Sequence, residues 1–235
     1  MSEWKAKRFW KEATFEPAES GWQVLLDGRP VRTPAKAALV LPSERLAQAI
    51  AAEWQAQGEK IDPRAMPATR TANSAIDKVA VQHEEVAAML AAYGGSDMLC
   101  YRADGPAELV ARQSADWDPL LDWAETRFGA RLAVTAGVMP VAQDAAALER
   151  LAAPLREMDP FALAAFHDLV ALSGSLVLAH AVTEARLDAA EAWRLSRLDE
   201  EWQIEQWGED EEAEALAQVK RTAFHDAARF WTLLG

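Results

Sequence analysis

The sequence predicts an α+β protein. A small antiparallel, β-rich N-terminal domain (residues 1–66) precedes a larger all-helical C-terminal domain (residues 67–235). Three observations carry this prediction. The first 42 residues hold short runs of strand-forming residues separated by turn signals. From Ser43 onward, apolar residues recur at helical spacing, and alanine and leucine abound. Between these regimes Pro63 and Pro67 interrupt both patterns and mark a connector. With 235 residues, 51% of them hydrophobic, the chain can bury a sizeable core as one large domain or two small ones.

Residues 8–15 and 21–27 read as the first two strands, and Gly28-Arg29-Pro30 follows as a turn. Residues 31–33 and 38–41 add two short strands, joined as hairpins. Ser43 then caps a helix that ends near Gly58. Leu46, Ile50 and Trp54 repeat at i, i+4 and i+8, so they share one stripe, and Trp54 staples this helix to the sheet. Helices are predicted over 72–93, 106–128, 144–158, 160–182, 188–207 and 211–234, with 131–141 a strand or an extended connector. Asp159-Pro160 opens one of these helices, with proline at its first position. In the last helix Leu216, Val219, Ala223, Ala227, Phe230 and Leu234 form an apolar stripe.

Composition excludes several function classes. A net charge of −13 repels nucleic acid and anionic membrane surfaces and suits a basic protein partner. The single cysteine, Cys100, cannot close an internal disulfide, so a reducing compartment is expected, with Cys100 a buried, inert thiol. Residues 161–182 are long enough to span a bilayer, but they include His167, Asp168, Ser173, Gly174, Ser175 and His180. They predict a buried core helix and no membrane insertion. Residues 1–5 carry neither an apolar signal region nor an Arg/Ser-rich presequence.

Catalytic signatures are sparse. Gly94-Gly95 is not followed by Lys-Ser/Thr, and there is no G-x-S-x-G elbow. His83, His167, His180 and His225 are scattered, so no metal site is expected. Glu201 and Glu205 stand at i, i+4 and could share a helix face. An enzyme built on them would need a concave pocket with a raised carboxylate pKa.

The most distinctive stretch is 196–208. Read as part of one helix over 188–207, it places Leu195, Leu198 and Trp202 on one face and Trp193, Ile204 and Trp207 roughly opposite. Carboxylates lie between the stripes. The acidic run Asp199, Glu200, Glu201, Glu205, Glu209, Asp210, Glu211, Glu212 and Glu214 meets no lysine or arginine until Lys220. A solvated acidic face explains most of the run, with Glu209 to Glu212 at the start of the last helix, where its dipole favours negative charge. The docking alternative is that like charges at i, i+4 destabilise a lone helix by roughly a few tenths of a kcal/mol per pair, which a basic partner would relieve.

Several segments together resemble the assembly chaperones for the catalytic head of F-type ATP synthase that attend its alpha subunit. They are Lys7-Arg8-Phe9, the run from Leu26 to Pro34, Leu41-Pro42-Ser43 leading to Glu53-Trp54, and Met66-Pro67. Asp97 with Cys100-Tyr101-Arg102, Trp117-Asp118-Pro119 with Trp123-Ala124, and Ser196 to Gly208 complete the set. The resemblance implies a β-rich N-terminal and a helical C-terminal domain, no catalysis and no cofactor. It implies a holder of the unassembled alpha subunit that covers a surface later shown to the beta subunit. Eukaryotic members are mitochondrial and carry a presequence, so this chain is expected in the bacterial cytoplasm, working as a monomer. The family pattern singles out Trp54, Arg197, Leu198, Glu200, Glu201, Gln203, Trp207 and Gly208, with Trp202 where tyrosine is common. Leu198 and Trp202 are expected to pack inward and Gly208 to end the helix. Arg197, Glu200, Glu201 and Gln203 are expected to meet the partner, and Trp207 reads equally as an aromatic anchor for it or as a core residue. A general protein-binding scaffold with a different client is the other non-catalytic reading.

Overall fold

The computed structural model describes residues 7–137 and 139–235. The reading of residues 1–5, and Val138 within the 131–141 run, lie outside them. The described chain has an α+β fold, with a small antiparallel strand region followed by a larger helical one. It divides into two compact units. Among the described residues, one holds 7–83 with 159–165 and 229–235; the other holds 84–137, 139–158 and 166–228.

In the first unit, β1 (Ala13–Ala18), β2 (Gly21–Leu26), β3 (Arg29–Pro30) and β4 (Val40–Leu41) form one antiparallel sheet. β2 is its hub. It pairs along its whole length with β1, Ala13 opposite Leu26, and on its other edge with β3 and β4. Asp27 and Gly28 both have positive φ, 47° and 76°, which is the geometry of a two-residue hairpin turn matched to strand twist. The Asp27 carboxylate accepts the backbone N–H groups of Lys11 and Glu12, and these donors hold its pKa below the usual carboxylate range.

Helix α1 (Glu44–Gln55) is capped by the Ser43 hydroxyl, which accepts the Leu46 N–H. Its last turn explains why the first strand begins at Ala13 and not at residue 8. The Arg8 guanidinium donates to the Gln55 and Gln57 carbonyls, and its Nε to Trp10 O. Residues 8–12 thus serve as a cap for orphan helix carbonyls, not as a ladder. Trp54 is half-buried and meets Trp10 edge-on, ring centroids 5.1 Å apart. Val24, Leu39, Leu41, Leu46, Ile50 and Phe230 share the core beneath the sheet. Each such side chain contributes about 1.5–3 kcal/mol by leaving water.

The predicted 72–93 helix is corrected. Helix α2 (Pro67–Ser74) starts earlier, because the Glu53 carboxylate accepts the Ala68 and Thr69 N–H groups and the Thr69 hydroxyl. A π-helical turn (Ala75–Val79) and a break then precede α3 (His83–Ala92).

In the second unit, α4 (Ala107–Phe128) runs for 22 residues. Nearby, β5 (Tyr101–Arg102) and β6 (Thr135–Ala136) form a short parallel pair, the only strand in the described part of 131–141. The Trp117 indole of α4 donates to Leu195 O at 3.0 Å. Arg102 reaches Asp118 at 2.8 Å and Leu99 O at 2.9 Å, with its guanidinium 5.2 Å from the Trp117 ring centroid. Helix α5 (Ala145–Glu157) follows, capped by Asp144.

The expected 160–182 helix is two helices, α6 (Pro160–Ser173) and α7 (Leu176–Thr183). Gly174 parts them at φ 72°, a backbone state that glycine adopts without a Cβ penalty. The fully buried Asp97 carboxylate accepts the Val177 N–H of α7 and the Leu99 N–H. Burial outweighs these bonds and pushes its pKa up to about 6. Buried Cys100 is pushed up to about 12, by burial and then by the Asp97 charge, which makes it an inert thiol. Among the described residues no helix is long and apolar enough to cross a membrane.

Candidate functional site

The 188–207 segment is two helices, which corrects the single helix predicted above. Helix α8 (Ala189–Ser196) starts at an Asp188 cap and ends where the Ser196 hydroxyl folds back onto Trp193 O at 2.7 Å. Arg197 then leaves helical geometry, at φ −113° and ψ 12°. Helix α9 (Leu198–Trp207) restarts with Asp199, Glu200 and Glu201 in its first turn, where the helix dipole favours negative charge. It stops at Gly208, φ 89°. Asp210 caps α10 (Glu211–Thr232) by accepting the Ala213 N–H.

The break re-phases the apolar residues. Trp193 and Leu195, two residues apart and so on opposing sides of α8, are both buried. Leu198 is buried, Trp202 and Ile204 are half-buried, and Trp207 is 78% exposed. Two side-chain pairs seat α9 on α4. Gln113 donates to Asp199 at 2.7 Å, and Arg112 pairs with Glu205 at 2.8 Å while lying 5.3 Å from the Trp202 ring centroid. The Glu205 hydrogen bond holds Arg112 more firmly in its charged form.

Two grooves flank this region. One of about 550 Å³ is lined by Glu201 and Glu205 of α9, Glu214, Ala217 and Arg221 of α10, and Arg112 and Arg194. The other, of about 500 Å³, takes Glu200 and Gln203 with Met98, Ser173 and Lys220. Arg197 lines both; it pairs with Glu200 at 2.6 Å and stands 5.9 Å from the Trp193 ring centroid. The structure therefore distributes the residues singled out by sequence over two grooves and a tip. Trp207 lines neither groove, and Trp54 belongs to the other compact unit.

The acidic run is sorted in the same way. Asp199, Glu200 and Glu205 are tied to Gln113, Arg197 and Arg112, and Glu214 accepts from Gln218. Exposed Glu201 forms no ion pair among the described residues. Glu201 and Glu205 do line one concave groove, but Glu205 is already engaged by Arg112. The surface thus combines an exposed tryptophan, an exposed carboxylate and groove-lining arginines.

Sequence reasoning missed Arg112, Arg194 and Arg221. They come from distant positions, and no local pattern marks Arg112 or Arg221. Arg194 is held by Glu191 at 2.7 Å and Asp116 at 3.0 Å, which raise its pKa. The i, i+3 spacing of Glu191 and Arg194 was the one legible signal.

Comparison with known proteins places this geometry. Residues 7–125 match the ATP12 chaperone protein family. The mitochondrial protein atp12 of Schizosaccharomyces pombe is 26% identical over 222 residues, 89% of this chain and 76% of that protein. The crystal structure of Atp12 from Paracoccus denitrificans is 57% identical, with a TM-score of 0.96 over 99% of this chain and 100% of that one. The Atu1473 protein of Agrobacterium tumefaciens is 44% identical, with a TM-score of 0.94 over 98% and 87% of the two chains. The chain belongs to the ATP12 chaperone family, the ATP synthase assembly chaperones that its sequence resembles.

Proposed function

We propose that this protein is a non-catalytic chaperone that holds the unassembled alpha subunit of F-type ATP synthase, one copy per client, in the bacterial cytoplasm. The observation that carries the reading is α9. It is docked through Leu198 and Trp202, yet presents Trp207 and the Glu201 carboxylate to solvent. An exposed tryptophan at a rigid helix end is an aromatic anchor in want of a pocket. Glu200, Glu201 and Gln203, with Arg197 behind them, supply charge and hydrogen bonds that fix register and steer encounter. Leu198, Trp202 and Gly208 hold the surface in shape, and Trp54 supports the other unit.

Gel filtration of the chain with purified alpha and beta subunits tests this. A complex with alpha alone, weakened by moderate salt, is expected. Glu201→Lys should leave the circular dichroism unchanged and weaken alpha binding by roughly tenfold, most at low salt. No complex with alpha, or a Glu201→Lys variant that binds normally, overturns the corresponding part of the reading.

A further inference from the structure

The apolar stripe of α10 is covered over only part of its length. Toward its C-terminal end Phe224, Ala227 and Phe230 are buried. From Glu211 to Thr222, ten of twelve residues are exposed, and only Glu214 and Ala217 are partly covered. Leu216 is 57% and Val219 67% exposed. At 100° per residue, Glu212, Leu216, Val219 and Ala223 fall within about 60° of one another. The groove-lining residues Glu214, Ala217, Gln218 and Arg221 fall on the opposite side. The sequence therefore encodes one amphipathic stripe, and the protein leaves its first half uncovered. Isolated surface leucines need no explanation, but an apolar pair continuing a packed stripe on otherwise bare helix does.

We propose that this outer face of α10 is a second client contact, and that its occupant is an amphipathic helix of the client whose apolar stripe is edged by lysine or arginine. The basic edge follows from charge. Glu209, Asp210 and Glu211 precede the face and Glu212 lies within it; before Ala223 the cations are Lys220 and, on the opposite side, Arg221. The apolar stripe follows from Leu216 and Val219, which a polar segment would leave half-desolvated without gain. A helix is the segment that sets i, i+3 and i+4 side chains against a matching stripe. This inference rests on the alpha-subunit reading above.

The test uses the full chain with the alpha subunit, by gel filtration and by hydrogen exchange. Unpacked helix exchanges readily, so amides 214–222 should be poorly protected in the free protein and become protected in the complex. The double variant Leu216→Ser/Val219→Ser changes only exposed positions. It should melt as the parent does and bind alpha at least about tenfold more weakly. Parental binding by this variant, with amides 214–222 exchanging alike free and bound, overturns the inference and leaves the alpha-subunit reading standing. No complex between the parent and alpha overturns both.

Discussion

His180 offers a stability test with a defined sign. Its ring is buried, lies 4.8 Å from the ring centroids of both Phe128 and Phe166, and bonds through Nε2 to Leu151 O at 3.0 Å. Burial, opposed by the Leu151 bond and by Glu184, lowers its pKa from 6.5 to about 4. At pH 7 the ring is neutral folded or unfolded. Between 6.5 and about 4 the unfolded chain takes a proton that the folded protein refuses, so stability is lost as pH falls. That displacement corresponds to about 3 kcal/mol. His180→Gln keeps a donor for Leu151 and removes the titration. At pH 7 the variant should be less stable by about 1–3 kcal/mol, having lost the ring packing. Toward pH 4.5 that deficit should shrink by up to about 3 kcal/mol, because only the parent is penalised. Urea unfolding followed by tryptophan fluorescence at several pH values measures it. A deficit that stays constant or grows on acidification would refute the assignment of a buried, neutral imidazole.

Asp97 should behave with the opposite sign. Its pKa is raised from 3.8 to about 6, so the stability it contributes is present at low pH and lost as pH rises through 6. The deficit of Asp97→Asn should therefore widen between pH 7 and 4, and the same unfolding series reads it; a narrowing deficit would count against burial as the cause. Trp54→Arg, which sets a charge against Trp10 and the sheet, should cost about 3 kcal/mol and lower Tm, whereas an unchanged melt would show that Trp54 does not staple the first unit.

The α+β division was legible because strand-forming runs and helical spacing occupy different stretches of chain. Ser43, Asp144 and Asp188 were legible or nearly so as caps, since a cap lies within three residues of what it bonds. What escaped was long-range. Arg8 delays the first strand by reaching residues 55 and 57, and Glu53 advances α2 by reaching residues 68 and 69. Neither partner can be guessed from spacing. The helix breaks at Gly174 and Arg197 were missed because apolar periodicity runs on across them.

The residues that identified the family have in part a physical reason of their own. Arg8, Asp27, Glu53, Asp97, Arg102, Trp117 and Asp118 each place at least one polar atom in a bond that fixes a turn, a helix end or the seat of a helix. They shape the scaffold and would serve any client. The 196–208 segment is different. With Leu198 buried at the start of α9, helical geometry sends Trp207, nine residues on, to the opposite face. The break at Arg197 is what sets that phase, since it lets α8 bury Trp193 and Leu195 independently of α9. A scaffold needing only stability would gain nothing from a tryptophan turned to water. Under the proposed function the placement is binding geometry: Trp207 would be the aromatic anchor, on a helix held from behind by Asp199, Trp202 and Glu205.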